Sequence, residues 1–392
     1  MKQTNFFIVA LAIGLAAVSC NTKQQNGLKQ IEIAETGESV TVTTDQIFSS
    51  YRIVPLETTD SSLVGGFINI VVTDSNIYWA SPLEAFKFTA DGRFVSKINR
   101  AGRSGQEYIS IEDLQIDSDG NALIFSMISN AIYKYDWNGH FLGKTEIKPF
   151  AAVNSIAFRF LPADNQTFWL YVGNYGQDFY NCVVNVDADG NIVSKSLPYS
   201  TNRKGYFQIM EDRTNFSRYQ DNSYCFQIFN DTVYLADNDG VFRPTYHIDF
   251  KTNAVPDGYY NRPHELMEFW NNFKQTGCVS GVEMFMETPN NYWVGYYKGS
   301  TRCRALVPKD GSPALCFENI ADAKFLKNYV MAGSKKRICP QSDGTITITA
   351  QPFKIMEYAN ANLSKEDAAA VAKAISYSGE DQNPILLIGK LK

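Results

Sequence analysis

A chain of 392 residues with 44% apolar residues is long enough to bury a large core, and its formal charge of −5 is mildly acidic. A nucleic-acid-binding protein normally carries a basic face, and the longest basic run here is only Lys335-Lys336-Arg337. Composition therefore excludes nucleic acid as an expected partner and leaves open both an enzyme and a binding protein.

The N-terminal residues predict an export signal. Lys2 gives a short positive region, and residues 6–18 form an apolar stretch of 13 residues. This stretch is too short to span a bilayer but has the length of the apolar region of a signal peptide. We therefore expect residues 1–19 to be a signal peptide.

A cysteine follows this segment and predicts a lipid anchor. The sequence Leu15-Ala-Ala-Val-Ser-Cys20 resembles a bacterial lipobox, although Ala17 stands where the motif usually has leucine. From this resemblance we expect Cys20 to be lipidated. Two or three acyl chains at this residue would anchor the protein stably. Residues 20–44 would then be a tether, and the lipid would be the only membrane attachment. The alternative is an ordinary secretory signal with an incidental cysteine.

Three similar hairpins set the period of the chain beyond the tether. In each, apolar and polar residues alternate on both sides of a tight turn, as in a half-buried β-hairpin. The turns are Asp91-Gly92, Asn138-Gly139 and Asp189-Gly190, whose glycines are 47 and then 51 residues apart. A repeat of roughly 40–50 residues made of four short strands is the signature of a propeller blade.

The strand patterns divide residues 45–392 into six predicted blades. They are expected over residues 67–98, 111–147, 155–197, 224–250, 282–317 and 337–388. The last blade shows only three strands, so residues 51–57 are predicted to supply the fourth and to close the ring. A seventh blade would require one of the long repeats to be split.

Two segments interrupt the strands and are predicted to be helical insertions. Residues 263–275 carry apolar side chains on one helical face and begin with Pro263, which is favoured in the first turn of a helix. Residues 364–375 begin with Ser364 as N-cap and Asp367 three positions later, a variant of the capping box. The expected fold class is therefore an all-β, six-bladed β-propeller with two short helices.

Three stretches carry a resemblance to a known family. Residues 51–63, Phe86-Lys-Phe-Thr-Ala-Asp-Gly-Arg-Phe94 and Gly102-Arg-Ser-Gly-Gln-Glu-Tyr108 resemble the six-bladed β-propeller lipoproteins of Bacteroidetes, which are related to NHL-repeat propellers. The resemblance extends over roughly residues 45–392. The link at residues 103–106 departs from the glycine-proline-glycine pattern that usually precedes Glu-Tyr in the family.

The resemblance implies a location more than an activity. It implies an outer-membrane lipoprotein, and the family has no general assigned activity. Some related bacteria export lipoproteins to the cell surface through an acidic run after the lipidated cysteine. Residues 21–25 lack such a run, so the periplasmic face is favoured over the cell surface.

Few residues indicate catalysis or metal binding. The segment His264-Glu265-Leu-Met-Glu268 begins like a zinc-protease helix but ends in Glu, and no Cys-x-x-Cys pair occurs. Three Asp-x-Asp-Gly turns, beginning at residues 117, 187 and 237, lack the carboxylate expected at position twelve of a calcium loop. We therefore predict hairpin turns, no metal, no cofactor and no assigned catalytic residue.

Polar residues on the innermost strands are the candidate ligand-binding residues. These strands line the central channel of a propeller, and one polar residue per blade is expected to face it. The six are Asn69, Asp113, Arg159, Gln227, Glu283 and Arg337. Such a ring would suit a small polar ligand, for example a sugar or a carboxylate. The alternative is a water-filled channel in which these groups satisfy one another.

The link between the first two blades provides two further candidates. Arg100 and Arg103 are expected beside a channel mouth or the outer rim, and both are candidate ligand-binding residues. Glu107 and Tyr108 in the same link are instead predicted to fasten one blade to the next.

One pair of cysteines is a candidate for a disulfide. Cys303 and Cys316 flank a turn at residues 308–311 symmetrically, so they could face each other across a hairpin at bridging distance. An oxidising compartment would permit the bond. Two unpaired buried cysteines are the alternative.

Taken together, these features favour a binding or scaffold protein over an enzyme. The hypothesis is a lipid-anchored envelope protein whose ligand is a glycan fragment or a partner protein. The alternative is a propeller hydrolase or lyase that uses the channel carboxylates Asp113 and Glu283.

Overall fold

The computed structural model describes residues 27–34, 40–148, 157–163, 166–173, 180–199, 215–227, 229–255, 275–333 and 338–392. Within these ranges the chain is almost entirely β-structure. The strands form seven sheets, which are the blades of an all-β propeller, and three α-helices accompany them in the described residues.

Most blades are antiparallel meanders of consecutive strands. Three N-terminal strands that join distant blades come first: β1 (Lys29–Glu32), β2 (Thr41–Thr43) and β3 (Phe48–Pro55). The first blade contains β4 (Asn69–Val72), β5 (Asn76–Ala80), β6 (Ala85–Thr89) and β7 (Phe94–Ile98). The second contains β8 (Asp113–Ile116), β9 (Ala122–Ser126), β10 (Ala131–Tyr135) and β11 (Phe141–Glu146). The third contains β12 (Arg159–Pro162), β13 (Phe168–Tyr171), β14 (Asn181–Val186) and β15 (Ile192–Pro198).

The second half of the ring contains four sheets. The fourth contains β16 (Phe216–Tyr219), β17 (Asn222–Cys225), β18 (Thr232–Ala236), β19 (Phe242–Asp249) and β1. The fifth contains β20 (Val279–Glu287), β21 (Asn291–Lys298), β22 (Thr301–Pro308) and β23 (Leu315–Phe317). The sixth contains β24 (Asn319–Asp322), β25 (Tyr329–Ala332) and β2. The seventh contains β26 (Ile338–Pro340), β27 (Thr345–Ala350), β28 (Ile385–Leu391) and β3.

The prediction of six blades was wrong, because the structure contains seven. The additional blade is the three-stranded sheet, in which β2 pairs in parallel with β24 and Val42 lies opposite Ile320. Its two consecutive strands have only four residues each, and its third strand comes from the far end of the chain. Because one strand of this sheet is so distant in the sequence, the sheet does not show the four consecutive strands that mark the other repeats.

The predicted closure of the ring is confirmed by strand pairing. Strand β3 is the outer strand of the seventh blade and pairs antiparallel with β28, so that Pro55 lies opposite Ile385. Strand β1 similarly adds in parallel to the edge of the fourth blade, where Gln30 lies opposite His247. The N-terminal strands thus cover the edges of three blades, which removes exposed sheet edges.

The hairpin turns follow the predicted chemistry. Gly92 has a φ of +90°, and its amide donates to the carbonyl of Thr89 at 2.9 Å. In the second blade, the Asp117 carboxylate accepts from the amides of Asp119 and Asn121 at 3.0 and 2.8 Å. Asp117 therefore closes a hairpin turn by accepting from the backbone amides two and four residues later, as the sequence predicted.

The three helices are α1 (Thr44–Ile47), α2 (Pro352–Asn362) and α3 (Lys365–Ala374), and a 3-10 helix spans Lys251–Asn253. Helix α3 confirms the predicted helix, because the Ser364 hydroxyl accepts from the Asp367 amide at 3.1 Å. Helix α2 was not predicted. The other predicted helix, at residues 263–275, lies almost wholly outside the described residues.

Aromatic residues fill the spaces between neighbouring blades. Phe125 of β9 meets Phe160 of β12 at 6.0 Å between ring centroids, and Trp169 of β13 meets Phe242 of β19 at 5.1 Å. Burying such side chains contributes roughly 1.5–3 kcal/mol each. Packing between the sheets therefore positions the inner strands around the channel.

Candidate functional site

A cavity of about 170 Å³ lies at the centre of the ring. Its lining comes mainly from the innermost strands β4, β8, β12, β16, β20 and β26, and the three-stranded sheet contributes no described lining residue. The polar side chains among the described lining residues are Asn69, Asp113, Gln115, Arg159, Ser217, Arg218, Glu283, Arg302, Arg304, Gln341 and Ser342.

Asp113 is the most constrained polar residue of the cavity. It is 3% exposed at the start of β8. Its carboxylate accepts from Asn69 Nδ2 at 2.7 Å, from the Leu114 amide at 2.9 Å and from the Phe160 amide at 3.1 Å. Burial raises the pKa of Asp113 to about 6, although Arg159 and the two amides act in the opposite direction. The group thus titrates near neutral pH.

Asn69 links the first blade to the second. Its Nδ2 donates both to Asp113 and to the carbonyl of Leu114, the latter at 2.9 Å. Its Oδ1 atom is buried and accepts no hydrogen bond from any described residue. A buried amide oxygen of this kind is unusual in a native structure.

Arg159 extends the same polar group to the third blade. It lies at the start of β12 and donates to the carbonyls of Glu112 and Phe158 at 2.5 and 2.9 Å. Its positive charge acts on Asp113 and opposes the rise in that pKa. The guanidinium is therefore held at the cavity wall by two carbonyl oxygens.

A second charged group lies on the fifth blade. Glu283 of β20 and Arg302 of β22 form an ion pair with an Nε–Oε1 distance of 3.0 Å. The Arg302 guanidinium also lies over the ring of Tyr297, 5.1 Å from its centroid. The pair is thus held in place from two sides.

Arg304 lies two positions beyond Arg302 and is 2% exposed. It donates to the carbonyls of Glu318 and Gly333 at 2.6 and 3.2 Å. Burial lowers the pKa of Arg304 to about 10, even though the charge of Glu283 acts to raise it.

The structure brings together four of the six predicted channel residues. Asn69, Asp113, Arg159 and Glu283 all line the cavity. Gln227 does not, because it follows β17, the second strand of its blade. The innermost strand there is β16, in a stretch that the sequence did not identify as a strand. Arg337 lies outside the described residues.

The two candidates on the link do not line the cavity. Arg103 is exposed, and the exposed Arg100 donates through Nε to the carbonyl of Gly139 at 2.9 Å. Tyr108 of the same link is fully buried, and its hydroxyl donates to the carbonyl of Leu83 at 2.8 Å. Its ring packs edge-on against Tyr135 of the second blade, which agrees with its predicted role as a fastening.

Arg302 and Arg304 are functional candidates that the sequence did not reveal. They lie on β22, two strands away from the channel. Gly295 of the intervening strand β21 lies between Met284 and Arg304 in the register, and it lines the cavity. Because glycine has no side chain, long arginine side chains can reach the channel at this level. The sequence feature that could have indicated this close approach is a glycine within a buried strand rich in aromatic residues.

The candidate disulfide is not present. Cys303 and Cys316 are not bonded to each other. In the register of β22 with β23, Cys316 lies opposite Ala305, two residues from the position that the symmetric spacing predicted. The turn therefore does not divide the hairpin evenly, which explains the error.

The described residues also bear on metal binding and membrane attachment. Among them, no cluster of three or more His, Cys, Asp or Glu side chains could hold a metal ion. No helix in this part of the chain is long and apolar enough to cross a membrane. Cys20, the predicted lipidation site, lies outside the described residues.

Comparison with known proteins identifies a family. The sequence matches the family described as domain of unknown function DUF4934 over residues 28–390. The chain belongs to this family. No curated protein matches the DUF4934 chain.

Solved structures show where this fold has been seen. A Bacteroides fragilis protein described as exported is 16% identical, with a TM-score of 0.72 over 93% of this chain and 99% of its own. A DUF4221 family member from Bacteroides vulgatus is 10% identical, with a TM-score of 0.51 over 88% and 97%. A virginiamycin B lyase of Staphylococcus aureus is 11% identical, with a TM-score of 0.44 over 87% and 99%. The first two confirm that the DUF4934 chain has a propeller fold found in Bacteroides.

Proposed function

We propose that this DUF4934 protein is a lipid-anchored envelope protein that binds a small polar ligand in its central cavity. The observation that supports the proposal is the convergence of buried polar side chains on one cavity. Asp113 and Asn69 meet at 2.7 Å on one side, and Glu283 lies on another blade. Convergent polar groups in an otherwise apolar pocket are typical of small-molecule sites.

The size of the cavity indicates the size of the ligand. An apolar cavity of about 150 Å³ holds one benzene molecule. The 170 Å³ cavity is therefore of a size that takes one small molecule, or the end of a longer one such as a glycan. A partner protein would instead require about 800 Å² of surface on each side. The cavity thus supports the glycan-fragment form of the hypothesis over the partner-protein form.

The anchor is the part of the proposal that concerns location. Lipidation of Cys20 would hold the propeller at the outer membrane, with the periplasmic face favoured. Cell fractionation tests this: the wild-type chain should be recovered with membranes, and a Cys20→Ser variant should be recovered in the soluble fraction. Recovery of both proteins in the same fraction would contradict the anchor without affecting the cavity.

The contacts of the cavity carboxylates do not favour the alternative of a hydrolase or lyase. Asp113 accepts hydrogen bonds from Asn69 and two backbone amides. Glu283 forms an ion pair with Arg302. These are contacts to amide and guanidinium groups, and acid–base chemistry on a substrate would require a second titratable group at reacting distance.

Thermal melting of the full chain in detergent, followed by tryptophan fluorescence, tests the binding function. A panel of neutral and acidic monosaccharides is added, and a ligand that binds the folded state must raise the melting temperature. Replacing Asn69 with Leu should abolish the shift because it removes the amide from the cavity. Asn99→Leu, at an exposed position, is the matched control and should retain the shift. No shift for any sugar with the folded wild-type protein would contradict the proposal.

A further inference from the structure

The first strand of the chain is attached to the ring along one edge. Among the described strands, β1 pairs only with β19 of the fourth blade, and the pairing is parallel. Ile31 and Ile33 are 3% and 0% exposed, and the Ile33 amide donates to the carbonyl of Asp249 at 2.9 Å. A terminal strand that is held along one edge opens more readily than the strands inside a blade. The side-chain contacts of β1 therefore help to determine how often it detaches.

One of these contacts connects β1 to the fourth blade through a histidine. In the register of the two strands, Gln30 lies opposite His247. The Nδ1 atom of His247 lies 2.6 Å from Gln30 Oε1, and its Nε2 atom lies 3.2 Å from Oδ2 of Asp231, in the turn before β18. The imidazole thus lies between two oxygen atoms, one from β1 and one from the blade.

Two facing oxygens favour the protonated ring. A neutral imidazole has one N–H donor and one acceptor nitrogen, whereas an imidazolium donates from both nitrogens. Reversing the Gln30 amide would offer the neutral ring a donor, but that bond lacks the charge that strengthens the imidazolium contact. The hydrogen bond to Asp231 raises the pKa of His247 above its ordinary value of 6.5; burial opposes this rise, and the charges of Asp231 and Asp249 add to it.

The other charges around this ring are arranged in pairs. On β19, the Asp249 carboxylate accepts from Lys251 Nζ at 2.8 Å. The same ammonium group lies 2.9 Å from the carboxylate of Glu32 on β1. Lys29 lies on the opposite face of the sheet, over the ring of Tyr246. Histidine is the side chain whose ordinary pKa lies closest to neutral pH, so the proton on the imidazole is the variable charge in this group.

We infer that His247 is a pH-dependent clasp of the N-terminal strand: its imidazolium holds β1 on the fourth blade, and loss of the proton loosens the strand. Because folding raises the pKa of His247, the stabilisation of this attachment is fully present below pH 6.5 and is lost as the pH rises through the raised value.

Detachment of β1 would change the reach of an anchored chain. Gly27 lies seven residues beyond Cys20, and an extended chain of that length spans about 25 Å. With β1 released, the first strand still paired to the ring begins at Thr41, which lies 21 residues beyond Cys20, and this length corresponds to about 70 Å. This consequence rests on the proposed lipid anchor, whereas the clasp itself does not.

Hydrogen–deuterium exchange of the full chain in detergent tests the clasp. Protection of the backbone amides of residues 29–33 is measured at pH 6 and at pH 8, corrected for the intrinsic exchange rates, and compared with that of the closing strand β3. In the wild type, the protection of β1 relative to β3 should fall by about threefold or more between the two pH values, because each unit of pKa shift corresponds to a factor of ten.

Three variants assign the effect to the clasp. His247→Gln and Gln30→Leu should each remove the fall in protection, because the first removes the titrating ring and the second removes its contact with β1. His140→Gln is the matched control, since the exposed His140 also pairs with an aspartate, Asp136, at 2.8 Å. The control should show the same fall as the wild type.

The outcomes separate the clasp from the function proposed above. Equal protection of wild-type β1 at the two pH values would overturn the inference, and so would a fall that persists in either His247→Gln or Gln30→Leu. Two variants are used because one of them could detach β1 at both pH values, and the other would then decide. If Cys20→Ser and the wild type were recovered in the same fraction, only the change in reach would be lost, and none of these results bears on ligand binding in the cavity.

Discussion

Arg302 and Glu283 form an ion pair with an Nε–Oε1 distance of 3.0 Å, and their side chains are only 5% and 9% exposed. The pair joins the first and third strands of the fifth blade across Gly295. Transferring both charges out of water opposes folding, so their attraction offers little net stability. Removing one partner is different, because the other charge then stays buried without that counter-charge.

Glu283→Gln is therefore expected to lower the free energy of unfolding by about 3–5 kcal/mol. Urea denaturation followed by tryptophan fluorescence measures this change. Glu146→Gln is the control, because Glu146 pairs with Lys144 on an exposed strand where its side chain is 59% exposed. The control should be close to wild type. If both variants lowered the free energy of unfolding by the same small amount, the Glu283 site would be well hydrated and the prediction would be wrong.

Asp113 should make stability depend on pH. Its pKa is about 6 in the folded protein, and the ordinary value is 3.8. Since the folded state holds the proton more tightly, the protein is most stable with respect to this group below pH 3.8, and it loses that stability as the pH rises to about 6. The shift corresponds to about 3 kcal/mol. Asn69 and Arg159 face the carboxylate from the neighbouring inner strands, and neither titrates in this range.

Urea denaturation at a series of pH values from 4 to 7 measures the effect. The free energy of unfolding of the wild type should fall relative to that of Asp113→Asn across this interval. The comparison uses the slope, because the variant also loses the hydrogen bond from the Phe160 amide and so starts from a lower stability. Parallel curves for the two proteins would contradict the raised pKa.

The fold could be predicted from the sequence where its signals are local. Gly92 marks a hairpin turn, and Ser364 with Asp367 marks the start of a helix, because each signal lies within a few residues of the structure that it specifies. The three-stranded sheet could not be found in this way. Its strand at residues 41–43 pairs with residues 319–321, and such a distant parallel pairing is determined only by tertiary packing.

The same distinction applies to the candidate site. Asn69 and Asp113 were accessible to prediction because they lie on the inner strands, and inner strands line the channel of any propeller. Arg304 was not accessible, because it reaches the cavity from the third strand of its blade beside Gly295. Gln227 was wrongly assigned to the innermost strand of the fourth blade. The true innermost strand, Phe216–Tyr219, was missed because it lacks a clear alternation of apolar and polar residues.

The fastening by Tyr108 can be tested through its hydroxyl. Tyr108 donates to the Leu83 carbonyl at 2.8 Å and accepts from the Arg100 amide at 3.2 Å. Tyr108→Phe should lower the free energy of unfolding by about 1–3 kcal/mol, because it leaves buried backbone groups without a partner. Urea denaturation measures this, and Tyr180→Phe, at a residue 44% exposed, is the control. Ligand affinity should not change, and a large loss of affinity would assign Tyr108 to the site instead.

The closure of the ring can be tested by a matched pair of glycine variants. Gly92 and Gly120 both lie in hairpin turns, with φ values of +90° and +82°. Replacing either with Ala places a side chain in the left-handed region, at a cost of roughly 1–2 kcal/mol. A Cβ at Gly92 would also lie 2.1 Å from the carbonyl oxygen of Pro55 in the closing strand, whereas a Cβ at Gly120 would meet no atom within 4 Å. Urea denaturation should therefore show a greater loss of stability for Gly92→Ala than for Gly120→Ala, because only the former must displace the strand that joins the two ends of the chain. Equal losses would mean that the turn of the first blade does not support the closing strand.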